Sequence, residues 1–346
     1  MDSHTITYNH TMSPSFYFQW HFLEQCNLRC KHCYQSDYTC PPCNLNQIMS
    51  IAQQIDQAAK AFGVSARISL TGGEPFIEKE ILYRLIDFFD KSENFSHIGI
   101  LSNGTLITEA DAARLTGYQK LKEVQISLDG ATALTHDKTR GNGAFKRATN
   151  GIETLVKHGI FTTAMYTITK INVHEAVDVL GVAHNLGVGA IAVERATPTG
   201  PRCTDSLSIS PEELMAVYAS ISKIKASDIY KPMKIRTSRP LWCLVDEQSG
   251  GLCPAGISCL AILHDGTLLP CRRLETPIGN ILLDGIFAPW YTSPIMWELR
   301  DATKLNNKCA ACKHHNSCRG CRAASYAAGN GLMGEDPFCW NAPHKQ

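Results

Sequence analysis

CNLRCKHCY, residues 26–34, places three cysteines, Cys26, Cys30 and Cys33, with three and then two residues between them. Three thiolates this close together can hold three corners of a four-iron, four-sulfur cluster. Because such clusters are normally held by four cysteines, a set of three leaves one iron free to bind a substrate or a cofactor. The alternative is part of a zinc site, which usually has four ligands at Cys-x2-Cys spacing.

The composition indicates a globular protein with no electrostatic preference for polyanions. The chain has 346 residues, of which 44% are hydrophobic, and this length predicts two domains. The formal net charge of +1 gives no reason to expect binding to nucleic acid or to a membrane surface. The sequence has no signal-peptide pattern and no apolar run of membrane-spanning length, so we expect a cytoplasmic protein.

The fifteen cysteines form two groups, which favours metal binding over a disulfide framework. Five lie between residues 26 and 43, eight lie between 253 and 339, and Cys203 and Cys243 lie between the groups. Cys40 and Cys43 form a CPPC pair that suits a redox pair, a metal site or a tight loop. Cys203 and Cys243 stay unassigned, as buried hydrophobic residues or as hydrogen-atom donors near a substrate.

Short apolar strands alternate with amphipathic helices over the first 200 residues, and this alternation predicts an α/β fold. The predicted strands cover residues 17–24, 66–70, 97–103, 123–130, 163–169 and 190–194. Six such units predict a parallel sheet in a partial (β/α)6 TIM-like barrel. We expect the barrel in residues 1–200, a connecting segment in 201–250 with a helix over 211–225 that Ser210 caps, and a small cysteine-rich domain in 251–346.

A second motif, Thr71-Gly72-Gly73-Glu74-Pro75, follows the second predicted strand. Its glycines allow a backbone to approach a ligand closely, and Glu74 offers a carboxylate, although an ordinary turn is the alternative. The cysteine spacing, the aromatic Tyr34 directly after it and this GGEP motif, in this order, resemble the radical S-adenosylmethionine (radical SAM) enzymes. The resemblance implies that SAM binds at the three-cysteine cluster beside Tyr34, and that Gly72, Gly73 and Glu74 bind the amino group of its methionine.

Polar residues after the next two predicted strands extend this implied SAM pocket. Ser102 and Asn103 follow the third strand, and Ser127 and Asp129 follow the fourth, on one side of an extended segment. The resemblance implies that such residues bind the ribose hydroxyls. Arg140 is a candidate partner of the SAM carboxylate, because a guanidinium group binds a carboxylate through two hydrogen bonds. For each residue alone, a capping or turn role is the alternative.

The eight cysteines of the last third resemble, in their order, the SPASM extension of radical SAM enzymes that modify peptides. One departure is that two residues, rather than three, separate Cys318 from Cys321. By resemblance to the anaerobic sulfatase-maturating enzymes, two auxiliary clusters would interleave, one held by Cys253, Cys259, Cys271 and Cys321 and the other by Cys309, Cys312, Cys318 and Cys339. Two structural zinc sites are the alternative.

The resemblance implies an enzyme with three [4Fe-4S] clusters that reductively cleaves SAM to a 5′-deoxyadenosyl radical, which abstracts hydrogen from its substrate. An electron donor such as flavodoxin or ferredoxin would supply the electron. Most enzymes with this extension, including maturases of ribosomally made peptides, act on a peptide or protein side chain, so we expect such a substrate. With only 25 residues before Cys26, we expect no separate N-terminal peptide-recognition domain.

Two other functions stay open. The first is radical modification of a small molecule or cofactor precursor. The second is a non-catalytic zinc or iron–sulfur module, against which the SAM-pocket motifs argue, since a scaffold needs no SAM pocket.

Overall fold

The computed structural model describes residues 15–341. The predicted barrel and the predicted cysteine-rich domain therefore each extend beyond it, by residues 1–14 and 342–346. Within the described residues, six long strands lie where the sequence predicts strands. They are β1 (Ser15–His21), β2 (Ser65–Thr71), β3 (Phe95–Ser102), β4 (Leu121–Ser127), β5 (Thr162–Ile168) and β6 (Ala190–Arg195).

Four short strands complete a single ten-stranded sheet. They are β7 (Lys234–Arg236), β8 (Cys259–Ile262), β9 (Thr267–Leu269) and β10 (Gly279–Asn280). The strand order is β10-β9-β8-β1-β2-β3-β4-β5-β6-β7, and all neighbours from β8 to β7 are parallel. This parallel sheet is typical of a partial TIM barrel, and the predicted α/β fold class is confirmed.

The cysteine-rich region shares this sheet. β8 pairs in parallel with β1 from Tyr17 to Trp20, and β9 and β10 follow as antiparallel neighbours. The carboxyl end of β8 therefore lies beside the carboxyl end of β1, where the loop with Cys26, Cys30 and Cys33 begins.

Helices fill the connections between the long strands and follow the last of them. They are α1 (Leu45–Phe62), α2 (Lys79–Lys91), α3 (Glu109–Leu115), α4 (Ala133–Arg140), α5 (Ala144–Lys157), α6 (Asp178–Asn185), α7 (Pro211–Ala226), α8 (Ile281–Asp284), α9 (Phe287–Thr292), α10 (Pro294–Arg300), α11 (Asn307–Ala310) and α12 (Arg322–Ala327). Gly63 ends α1 in a left-handed conformation, φ 65°, which glycine adopts without a steric penalty. Ser210 caps α7, with Pro211 as its first residue, as predicted.

The core lies between the sheet and these helices. Phe18 and Trp20 of β1 are completely buried, as are Ile51 and Ile55 on one face of α1. Burial of each such side chain contributes roughly 1.5–3 kcal/mol, so β1 is anchored firmly at the point where the cysteine loop leaves it. Searching residues 15–341 finds no helix whose length and apolarity would let it cross a bilayer.

Candidate functional site

The cysteine triad lies in a loop that leaves β1 at the carboxyl end of the sheet. The amide of Leu28 donates to Sγ of Cys26 at 3.4 Å, and the amide of Gln35 donates to Sγ of Cys33 at 3.5 Å. Cys30 is buried against Leu28 and Ala144. Amide donors around sulfur and an apolar wall suit thiolates that are bound to iron.

Burial disfavours the thiolate forms of Cys26 and Cys30. It raises the pKa of Cys26 to about 12, and it also raises the pKa of Cys30. A cation bound at the loop would reverse this, since metal binding deprotonates a coordinating thiol. The donor set therefore fits an iron–sulfur cluster held by three thiolates, the group that the sequence predicts here.

The GGEP motif packs against the backbone that leads into the cysteine loop. Gly73 N donates to Leu23 O at 3.0 Å, and Glu74 N donates to Gln25 O at 2.8 Å. A Cβ atom at Gly72 would lie 2.2 Å from Leu23 O, and one at Gly73 would lie 2.1 Å from Gln25 O. The two glycines therefore allow the backbone at Leu23 and Gln25 to pack closely against the motif. Any contact of Gly72 or Gly73 with a cofactor has to use main-chain atoms.

Glu74 is completely buried and is already bound by the protein. Its Oε1 accepts from Ser102 Oγ at 2.8 Å and from Phe76 N at 3.1 Å, and its Oε2 accepts from Asn103 N at 2.7 Å. The structure thus joins three of the predicted SAM-binding residues, Glu74, Ser102 and Asn103, into one hydrogen-bond network. Since Oε2 accepts only one of these bonds, one of its lone pairs is left for an ammonium group.

Asp129 and Arg140 are also brought together, but they bind each other. Arg140 Nε donates to Asp129 Oδ2 at 2.6 Å, and Thr167 N donates to Asp129 Oδ1 at 2.8 Å. Both side chains are buried. Arg140 was predicted to pair with the SAM carboxylate and Asp129 to bind ribose. In the structure, the ion pair occupies Arg140 Nε and Asp129 Oδ2, and the Thr167 amide occupies Asp129 Oδ1.

The other end of the Arg140 guanidinium faces the cysteine loop. Its NH1 atom lies 3.7 Å from Cys30 Sγ, and its NH2 atom lies 3.5 Å from His32 Nε2. Burial lowers the pKa of His32 to about 4, so its ring is neutral at neutral pH. Arg140 therefore carries the positive charge beside Cys30, with one terminal nitrogen at the Cys30 sulfur and the other at the His32 ring.

Ser127 and Tyr34, the two other side chains predicted to bind SAM, contact different parts of the protein. The hydroxyl of Ser127, at the end of β4, donates weakly to Ser102 O at 3.5 Å. The Tyr34 ring lies 4.1 Å below the guanidinium of Arg272 and packs edge-on against His21. Tyr34 thus links the cysteine loop to the cysteine-rich region.

The eight cysteines of that region gather in two places. Cys253 lies close enough to Cys271 and Cys321 for their charges to interact, and Cys259 interacts in the same way with Cys253 and Cys271. A separate cavity is lined by the other four, Cys309, Cys312, Cys318 and Cys339. These are the two groups that the resemblance implies.

Two residues without a signal in the sequence hold cysteine-containing segments, one in the C-terminal region and one in the loop after β1. Asp336 is completely buried, pairs with Arg195 of β6, and accepts from the amides of Cys321 at 2.7 Å and Phe338 at 3.0 Å. Arg202 donates to Cys30 O at 3.1 Å and to Arg29 O at 3.0 Å, and so holds the cysteine loop from the segment after β6.

The remaining cysteines lie in three different settings. Cys203 is buried near Cys33, and Cys243 contacts Cys318. Cys40 and Cys43 contact His264 in the turn after β8.

Residues 20–183 match the family model of the radical SAM superfamily. This chain has a radical SAM domain. The matched residues contain the cysteine triad, the GGEP motif and the Asp129–Arg140 pair. As a radical SAM enzyme, the protein uses SAM and a [4Fe-4S] cluster.

Similarity to individual proteins extends over nearly the whole chain. An AdoMet-dependent heme synthase of Oleidesulfovibrio alaskensis is 29% identical, over 94% of this chain and 87% of that protein. The mycofactocin maturase MftC of Mycobacterium ulcerans is 28% identical, over 96% of this chain and 89% of that protein. The crystal structure of Streptococcus suis SuiB bound to precursor peptide SuiA covers 95% of this chain and 77% of that one, with a TM-score of 0.75 and 13% identity. At that identity, the SuiB likeness shows the fold alone.

Proposed function

We propose that this radical SAM enzyme modifies a side chain of a peptide or protein. The observation that carries the proposal is the gathering of the eight C-terminal cysteines into two groups of four, the arrangement of the SPASM extension. The relatives named mycofactocin maturase and the likeness to SuiB, which binds a precursor peptide, support the same substrate class.

In this proposal, Cys26, Cys30 and Cys33 hold the cluster that binds SAM and leave one iron free. SAM bound there would supply a 5′-deoxyadenosyl radical, the species that takes a hydrogen atom from the substrate. The residues that would surround SAM are Tyr34, Gly72, Gly73, Glu74, Ser102, Asn103, Ser127, Asp129 and Arg140. Of these, Arg140 brings the positive charge nearest to Cys30, and its NH1 and NH2 atoms suit a carboxylate.

We propose two auxiliary [4Fe-4S] clusters in addition, one in each C-terminal group of cysteines. A zinc ion would draw four thiolates to about 2.3 Å from one point. Within residues 15–341, no three His, Cys, Asp or Glu side chains converge closely enough for a single metal ion. Thiolates around a four-iron cube each bind a different iron and so lie farther apart, and metal content distinguishes the two alternatives.

Three further proposals concern organisation and partners. Residues 1–200 would form the radical SAM barrel, 201–250 the connecting segment and 251–346 the SPASM domain. A flavodoxin or ferredoxin would supply the electron. The location would be the cytoplasm, since none of the fifteen cysteines, all of which lie in the described part of the chain, is in a disulfide.

Metal analysis and a peptide assay test the proposal. After anaerobic reconstitution we expect about twelve iron atoms per chain, on the ligand pattern of three four-iron clusters. About four iron and two zinc atoms would show structural zinc instead. The enzyme, SAM and a reductant are then incubated with short peptides encoded near its gene, and mass changes are followed. A mass change on a peptide supports the proposal, and one on a free metabolite with none on any peptide contradicts it.

Modification of a cofactor precursor is the second candidate. The observation that favours it is the similarity, over 94% of the chain, to relatives named AdoMet-dependent heme synthase. The same incubation with heme-precursor tetrapyrroles separates the two functions, because heme formation without any peptide product would identify the second.

A further inference from the structure

Cys40 and Cys43 are not among the cysteines assigned to iron. They lie where the loop before α1 meets the turn after β8, beside His264. Cys40 Sγ lies 3.3 Å from Nε2 of His264, and Cys43 Sγ donates to His264 O at 2.9 Å. On the other side of the ring, His264 Nδ1 lies 3.6 Å from Glu24 Oε1. A thiol, an imidazole and a carboxylate thus lie in series, with a second thiol on the same histidine.

The loop around Cys40 is held in a defined conformation. Asp37 Oδ1 accepts from the amide and hydroxyl of Thr39, both at 2.8 Å, and from Cys40 N at 3.3 Å. Two prolines separate Cys40 from Cys43 and restrict the backbone between them. Asn44 then caps α1. Cys43 therefore sits directly before the N-terminus of α1.

Cys40 and His264 open onto a cavity of about 320 Å³. Its charged wall includes Asp37, Glu275 and Arg272. Arg272 is 6% exposed, and its Nε has no hydrogen-bond partner in the described structure. The guanidinium of Arg272 lies 3.6 Å from Glu275 Oε1, so these two side chains form an ion pair in the wall. Together with Asp37, the pair gives the cavity charges of both signs, which suits a zwitterionic ligand.

We propose that Cys40 and Cys43 form a thiol–disulfide exchange site for a small disulfide derived from amino acids or a short peptide. Cys40 gives its proton to His264 and attacks one sulfur of the bound disulfide, whose S–S bond breaks. Cys43 then attacks the Cys40 sulfur, which forms the Cys40–Cys43 disulfide and releases the second half of the ligand. The ligand gains two electrons, the dithiol loses two, and the two thiol protons leave with the two product thiols.

The position of His264 supports its role as proton acceptor. The Glu24 carboxylate, 3.6 Å from Nδ1, raises the pKa of His264, which makes the imidazole a stronger base for the Cys40 thiol. Gln35 Nε2 donates to Glu24 Oε2 at 2.8 Å and so holds the carboxylate in place. A single-metal site is less well supported, because no third ligand converges with Cys40 and His264 among residues 15–341.

Disulfide mapping of the anaerobically reconstituted full-length enzyme tests the proposal, with glutathione disulfide as the probe. Samples are quenched in acid, free thiols are blocked with N-ethylmaleimide, and digests are analysed by mass spectrometry. We expect the Cys40–Cys43 disulfide to form at least ten times faster than any disulfide that contains Cys203 or Cys243. Cys43→Ser should trap a glutathione adduct on Cys40, and His264→Asn should slow the reaction at least tenfold.

SAM cleavage serves as the measure of folding for every variant, and we expect it unchanged in Cys40→Ser, Cys43→Ser and His264→Asn. Cys203→Ser is the matched control and should leave the exchange rate unchanged. The proposal is overturned if glutathione reacts elsewhere before it reacts with Cys40, or if His264→Asn reacts at the full rate. Bound zinc in the wild-type chain that Cys40→Ser releases would also overturn it, because the pair would then be a metal site.

Discussion

The two cysteine-rich regions of the molecule are assembled in different ways. Cys26, Cys30 and Cys33 lie within one short loop, and its geometry is set by neighbouring amides and by the GGEP backbone beside it. The eight C-terminal cysteines are spread over residues 253–339 and meet only because distant segments fold together, with Asp336 and Arg195 between them. The ligands of the first site are close together in the sequence, so their spacing alone indicates the site. The ligands of the second site are brought together only by the tertiary structure.

The largest expected effect comes from removing a cysteine of the local site. Cys30→Ala should abolish formation of 5′-deoxyadenosine, because the SAM-binding cluster would keep only two protein ligands. The measurement is 5′-deoxyadenosine by chromatography after anaerobic reduction, together with iron content. Cys203→Ala, a buried cysteine outside all three proposed sets, is the control. Cleavage of SAM at the wild-type rate by Cys30→Ala would show that the loop does not hold the cluster.

A cysteine of the dispersed site should give the opposite pattern. Cys339 lines the cavity with Cys309, Cys312 and Cys318, away from the SAM loop. We expect Cys339→Ala to lose about four iron atoms and all product on its true substrate, yet still to cleave SAM without product. The readouts are iron content, 5′-deoxyadenosine and product mass on the same sample. Full product yield would remove the second auxiliary cluster from the reaction.

The buried ion pair tests whether the dispersed site depends on the fold. Asp336→Asn leaves Arg195 buried without a charged partner, which typically costs 3–5 kcal/mol. We expect a lower midpoint of thermal unfolding for the reconstituted enzyme. The double variant Arg195→Met/Asp336→Asn should recover part of the loss, because no charge is then left unpaired. An Asp336→Asn enzyme as stable as the wild type would show that the pair does not join the two regions.

Glu74 offers a smaller test of the local site. Glu74→Ala should weaken SAM binding by roughly 1.5–3 kcal/mol, about ten- to a hundredfold in Kd, if its free lone pair binds the SAM ammonium group. Glu80→Ala, an exposed glutamate on the following helix, is the control. Equilibrium binding of SAM to the reconstituted enzyme measures the effect. Equal affinity in a folded Glu74→Ala enzyme would leave the residue with only its structural contacts to Ser102 and Asn103.

The sequence predicts what depends on neighbours along the chain. The six long strands, the N-cap of α7 and the cysteine triad all have local patterns, because strand alternation, capping and loop spacing act over a few residues. The pairing of β8 with β1 has no such pattern, since β8 is four residues long and lies more than 200 residues away.

The same limit applies to side chains within the candidate site. The sequence places Asp129 and Arg140 near SAM but does not show that they bind each other, because an ion pair is set by the fold of both segments. It also gives no sign that Arg202 holds the cysteine loop or that Cys40 meets His264. A search of the sequence for Arg and His residues near predicted strand ends would have returned Arg202 and His264 together with many residues that have no such contacts.

The smallest expected effect concerns acid stability around the Asp129–Arg140 pair. His136 is completely buried, and its Nδ1 accepts from Asp129 N at 3.1 Å, so the neutral ring is the bonded form. Burial lowers the pKa of His136 to about 4 from an ordinary value near 6.5. A histidine whose pKa is lowered by folding contributes stability above its unfolded pKa and loses it as the pH falls. The loss should therefore develop between about pH 6.5 and pH 4 and amount to about 1–3 kcal/mol.

His136→Gln should flatten the fall in thermal midpoint over that range, whereas His174→Gln, at an exposed position, should not. Parallel curves for His136→Gln and the wild type would show that other buried groups, and not this histidine, set the acid stability of the SAM-side region.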